Sequence, residues 1–169
     1  TLLGAEEPYS GKYADSPAWA ELREALPQKL ERSGAIVRER LGTADLDLSN
    51  VVLVFQDLPL SGDGVVPSAN TWTRRSEQVI RIHLEPVFAG IDTLDTILTH
   101  ELTHAALRNL LGEKAHEALP HWAREGLAVW AAGQGPDRVR VWLCVLAEKP
   151  DAVAELVDGL ENEKHGLKD

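Results

Sequence analysis

The apolar positions of this chain change their period along its length. Trp19, Leu22, Leu26, Leu30, Val37 and Leu41 recur at intervals of three, four and seven residues, which is one face of a helix. Ser16-Pro17 supplies its start, a hydroxyl to cap free amides followed by a residue that lacks one, and Gly42 supplies its stop. Pro27 falls inside and predicts a kink or a split into two helices. Val51 to Phe55 is an unbroken β-branched and aromatic run, the mark of a buried strand. The segment from Ser61 to Ser68 contains Gly62, Gly64 and Pro67 and predicts a loop. Val79 to Leu84 alternates, with Ile80, Ile82 and Leu84 on one face and Val79, Arg81 and His83 on the other, as in a strand.

From Asp92 onward the spacing is helical. Asp92 or Thr93 can cap a helix whose apolar positions are Leu94, Leu98, Leu102, Ala105 and Leu110, with Gly112 just past its end. Glu113 to Leu119 forms a short connection to Pro120, and a second helix runs from His121 to Ala132 and stops at Gly133. Residues 137–148 and 151–160 read as two more helices, and residues 1–15 as an irregular N-terminal arm. There is no internal repeat. The pattern predicts one α+β domain over residues 1–169, with a small mixed sheet from the N-terminal half and a helical C-terminal part.

Composition narrows the function classes. Apolar residues make up 44% and charged residues 26% of 169 positions, a globular balance with enough chain to bury a core. The longest apolar runs fall far short of the ~20 residues a membrane helix needs. With 27 acidic against 17 basic side chains the net charge is −10, which argues against a binder of nucleic-acid backbones and favours solubility. The single Cys144 excludes an intrachain disulfide and a cysteine-rich metal site, and its apolar neighbours suggest an inert thiol. The chain has no methionine, not even an initiator. Removal of an export leader leaves that trace and so does trimming, so the compartment stays open with a lean to export.

The segment that carries chemistry is His100-Glu101-Leu102-Thr103-His104, the pattern H-E-x-x-H within the helix that follows Asp92. At about 100° per residue the two histidines lie roughly 40° apart on one face and one turn apart in height. Imidazoles so placed can share one Zn²⁺, while Glu101 on the flank can take a proton from the water that the metal activates. Leucines surround the motif, so the helix is half-buried, where two unpartnered histidines would be costly. A catalytic zinc keeps three protein ligands and one open position. The third ligand is open between Glu125, His121 one helical turn before it, and His116 in the connection.

Followed 21 residues later by Pro120-His121-Trp122-Ala123-Arg124-Glu125-Gly126-Leu127-Ala128, the motif resembles the gluzincin metallopeptidases, and most of all their small peptidase-MA-like domains. The resemblance covers residues 97–132 specifically. It implies a zincin-like fold, a small sheet packed on an active-site helix. It also implies zinc ligands His100, His104 and Glu125, a general base at Glu101, and peptide or protein substrates. Upstream, Val79 to Leu84 resembles the strand on which zincins align an extended substrate. A metzincin would need Gly and His where this chain has Leu107 and Leu110, and without methionine it has neither the methionine turn nor the Gly-x-Met-Glu-Asn segment of the large aminopeptidases. Two departures stand out. Val129 occupies the place of an aspartate that orients a zinc histidine in thermolysin-like enzymes, and no tyrosine follows the zinc helix to stabilise an oxyanion, only His116, His121 and His165. The alternative to a peptidase is therefore an impaired, peptidase-like zinc-binding module that binds peptide or protein partners.

Other residues carry weaker signals. His83, on an edge strand, could meet a substrate or the active-site water but reads first as a solvent-facing histidine. Trp122 and Trp130, eight apart on one helix face, read as packing residues; Trp72 beside the glycine-rich loop could contact substrate but reads first as packing. Arg74-Arg75 could recognise acidic substrate groups, with a solvated charge pair as the default.

Overall fold

The computed structural model describes residues 5–6, 8–57 and 68–136. Among them run strands β1 (Ala5–Glu6), β2 (Val51–Gln56), β3 (Ala69–Arg74) and β4 (Glu77–His83). The helices are α1 (Pro17–Leu41), α2 (Leu84–Phe88), α3 (Leu94–Leu111), α4 (Glu113–Ala118) and α5 (His121–Ala131). The fold is mixed α+β. The expected helices over 137–148 and 151–160, Cys144, His165 and most of the Ser61–Ser68 loop lie outside the described residues.

Helix α1 starts as its sequence implies: the Ser16 hydroxyl accepts the Trp19 amide at 3.1 Å, and Gly42 closes the helix in the left-handed region at φ 66°. The helix is not split at Pro27 but continues as one element from Pro17 to Leu41. Pro27 sits on the solvent face, where water can serve the carbonyl it leaves unpaired, while Leu26 and Leu30 hold the buried face in place.

The sheet has the order β1-β2-β4-β3, with β1, β2 and β4 parallel and β3 antiparallel to β4. Its two inner strands carry the apolar signal: Leu53 pairs with Ile80 and Phe55 with Ile82, and all four are buried. Helices α1 and α3 close the core over this sheet, through Trp19, Leu22, Leu26 and Val37 from α1 and Leu98, Leu102 and Ala105 from α3. Trp19 meets Tyr9 and Phe55 edge to face at 4.9 and 5.0 Å.

Several expectations need correction. The N-terminal arm is not wholly irregular, since Ala5–Glu6 adds a short edge strand to β2, too short to show a period. Strand β3 was hidden by its composition: Ala69-Asn70-Thr71-Trp72-Thr73-Arg74 is polar because it forms the other edge of the sheet, buried only at Ala69. Its presence makes β4 an inner strand, paired on both sides, so His83 is buried at 6% exposure instead of facing solvent. Leu110 is exposed, because α3 outruns the sheet at its C-terminal end.

Leu98 lies at the centre of this arrangement with no exposed surface. Leu98→Ala should cost about 2–5 kcal/mol through lost burial and the cavity left behind. The urea midpoint should fall accordingly with the slope of the transition unchanged.

Candidate metal centre

Helix α3 carries the site on a buried surface, with every residue from Ile97 to Thr103 buried. Its threonines avoid unpaired hydroxyls by bonding one turn back, Thr99 to the Asp95 carbonyl at 2.8 Å and Thr103 to the Thr99 carbonyl at 2.7 Å. His100 and His104, one turn apart, bring their Nε2 atoms to 3.2 Å. Glu125 arrives from α5, with Oε2 3.4 Å from His100 Nε2 and Oε1 3.3 Å from His104 Nε2.

Three donors at 2.0–2.2 Å from one tetrahedral ion stand about 3.3–3.6 Å apart, the edge length of the tetrahedron. The two imidazole nitrogens stand close to that spacing, and each approaches a different oxygen of Glu125. With one donor atom from each within 4.8 Å of the others, His100, His104 and Glu125 form a group that could hold a metal ion.

The surroundings tune the donors. Hydrogen bonding from His100 and His104 holds the Glu125 carboxyl far below the usual carboxylate range, against the effect of burial. For His100, burial alone would favour the neutral ring, but the Glu125 bond, the Glu101 charge and the Gln134 contact outweigh it, and its proton affinity is raised. Gln134 Oε1 lies 2.9 Å from His100 Nδ1. An amide oxygen only accepts, so Nδ1 donates to Gln134; in the neutral ring Nε2 then keeps a lone pair toward the centre, and in the protonated ring it donates to Glu125. Glu101 is buried beside the donors but outside their group, and its Oε2 accepts the Thr71 hydroxyl from strand β3.

The centre opens into a cavity of about 600 Å³, bounded by Ser68 to Thr71 of the β3 edge on one side and by α3, α4 and α5 on the others. His121 also lines it, but its side chain is 63% exposed and reaches only Glu125 Oε1, at 3.9 Å. His116 on α4 is 1% exposed, and neither ring nitrogen has a hydrogen-bond partner. Burial, then the charges of Arg108 and Arg124, push its pKa down to about 4. Of the three candidates for a third donor, Glu125 alone joins the two motif histidines.

The weaker signals resolve differently. His83 does not line the cavity. Trp72 lies under the Arg81 guanidinium at 4.6 Å. Arg74 pairs with Glu77 at 3.2 Å, and Arg75 occupies the β3–β4 turn at φ 58°. The packing role expected for Trp122 and Trp130 does not hold: they are 55% and 47% exposed, because α5 turns only Ala128 and Ala131 fully inward. Among the lining residues that went unread in the sequence, four bear on the site's chemistry. Thr71 lay in an unrecognised strand, Arg108 and Arg124 sat unremarked four positions past His104 and next to Glu125, and nothing in local spacing marks Gln134. No family model, curated protein or solved structure matches the chain.

Two outcomes follow for measurement. Glu125→Ala should weaken zinc binding by two orders of magnitude or more in a competition titration, while His121→Ala should change it little. The reverse result would make the site a three-histidine one. The second concerns acid stability in chelator-treated protein. His116 has a folded pKa near 4, below the ordinary value of 6.5, so the unfolded chain binds its proton more readily. Its contribution is present in full above the ordinary value and is lost as pH falls toward 4. His116→Phe should flatten that decline in chemical-denaturation stability by on the order of 1–2 kcal/mol. An identical pH slope in both proteins would rule this out.

Proposed function

We propose that this chain is a zinc-dependent peptide-bond hydrolase of zincin-like, gluzincin type. The observation that carries the reading is the cluster of His100, His104 and Glu125, whose donor atoms lie within 4.8 Å of one another, with the Glu101 carboxylate buried alongside. Two imidazoles and one carboxylate suit zinc by donor type, and three protein donors leave a position for water or substrate. Zinc held by His100, His104 and Glu125 would lower the pKa of water at that position and polarise a carbonyl.

The chain's own groups divide the remaining work. Glu101 takes the proton from the attacking water and passes it to the leaving amine. Thr71 fixes the orientation of that carboxylate, and Gln134 fixes the tautomer of His100. The edge of β3 borders the cavity, pairs with no further strand among the described residues, and offers main-chain groups other than the Thr71 carbonyl to an extended peptide, the role the sequence suggested for β4. A peptide-binding module without turnover would keep the same donor set. In its favour, neither of the chain's two tyrosines, Tyr9 and Tyr13, lines the cavity.

Glu101→Gln separates these readings. It keeps size and hydrogen bonding but removes the base, so zinc content should persist while hydrolysis of an unfolded protein substrate falls by about two to four orders of magnitude. Loss of zinc in this variant would make Glu101 a ligand. Absence of hydrolysis by the unaltered, zinc-loaded protein would leave the binding module as the better reading.

A further inference from the structure

One wall of the cavity is cationic, and among the described residues no ion pair neutralises it. Arg108 follows His104 by four residues on α3 and so continues the stripe that carries both histidines. Arg124 adjoins Glu125 on α5, and His116 stands on α4; all three line the cavity. Eight buried side-chain nitrogen or oxygen atoms among the described residues lack a hydrogen-bond partner. Five of them belong to this wall: Arg108 Nε and Nη1, Arg124 Nε and both ring nitrogens of His116. Arg108 donates from Nη2 to the Thr71 carbonyl at 3.3 Å, and neither arginine forms an ion pair among the described residues. The acidic groups that act on Arg108 from a distance are Glu113, Glu101 and Glu117, and the Glu113 carboxylate is engaged by the Thr73 hydroxyl at 3.0 Å.

Both arginines are half-buried, and the guanidinium nitrogens that are out of solvent without a partner are costly, a cost that falls when a matching anion arrives. We infer that Arg108, Arg124 and His116 form a subsite for a carboxylate on the peptide, either an acidic side chain or a free C-terminus, beside the position where the peptide bond reacts. The guanidinium fork matches the two oxygens of a carboxylate, and a neutral imidazole adds one N–H donor from whichever nitrogen faces the ligand. The neutral state follows from the two arginine charges and from burial. A net charge of −10 gives an acidic peptide no long-range attraction to the chain, so discrimination must come from these contacts. The inference rests on the peptide-ligand reading of the cavity and names the chemistry of that ligand.

The test is calorimetric titration of zinc-loaded Glu101→Gln protein, which holds peptide without turnover. The probes are six-residue alanine peptides blocked at both ends with one Asp walked along them, their Asn twins, and an all-alanine peptide with a free C-terminal carboxylate. At least one carboxylate-bearing peptide should bind tenfold or more tightly than its neutral twin, and which one does so identifies the carboxylate's source. Arg124→Gln should bring the pair within twofold while zinc content stays unchanged. Arg108→Lys, which keeps the charge and the packing but loses the fork, should reduce the preference in part. Equal binding of acidic and neutral twins, no binding of any probe at millimolar concentration, or a preference that survives both substitutions overturns the subsite. Hydrolysis by the unaltered protein without acidic preference removes the subsite alone. Acidic preference without hydrolysis removes the enzymatic reading alone.

Discussion

A carboxylate held between two imidazoles fixes the position of α5, and the rest of the site depends on that contact. Among the described residues only Ala128 and Ala131 of the helix are fully buried, while Trp122, Leu127 and Trp130 are exposed. Its polar contacts there are Glu125 to His100 and His104 and the Trp130 carbonyl to Arg40 at 3.0 Å, and just past its end Gln134 meets His100. Most of these contacts converge on the same two rings. Any ion or proton that changes the rings therefore changes how firmly α5 is held.

The opposite holds for α3. It places polar chemistry on a buried helix, which is tolerable because nearly every polar group there is answered: threonines by the preceding turn, Glu101 by Thr71, His100 by Gln134 and Glu125. Its apolar face, through Leu98, Leu102 and Ala105, sits in the core with α1 and the inner strands. A rigid donor pair on α3 thus faces a loosely docked third donor on α5. That division suits a centre whose geometry is set by one element and completed by another.

How much of this was legible in the chain depends on whether an element announces itself through apolar period. Helix α1, strand β2 and helix α3 did, because each buries a regular face. The donors were legible because helical spacing alone brings His100 and His104 together, whereas the choice of Glu125 came from resemblance and needed the tertiary fold to bring α5 to α3. Strand β3 was not legible, since an edge strand that borders a cavity is polar on the sides that matter. Missing it displaced His83 from the interior to the surface and gave the free edge to β4. The tryptophans of α5 failed for the reverse reason: periodicity reports a shared face, not whether that face is covered. Thr71 and Gln134 each act on a residue 30 or more positions away, beyond the reach of any local pattern.

Gly112 ends α3 and begins α4 in a single residue, at φ 77° and ψ 158°. That backbone region is closed to every residue with a β-carbon, although the space around Gly112 is empty. A side chain there would touch nothing and still strain the chain by about 1–3 kcal/mol. The reversal it permits is what turns α4 back so that His116 meets the cavity beside α3. A position with no side chain and no contact is thus constrained by its backbone conformation. Selection at Gly112 acts on the direction of the chain and on no contact at all.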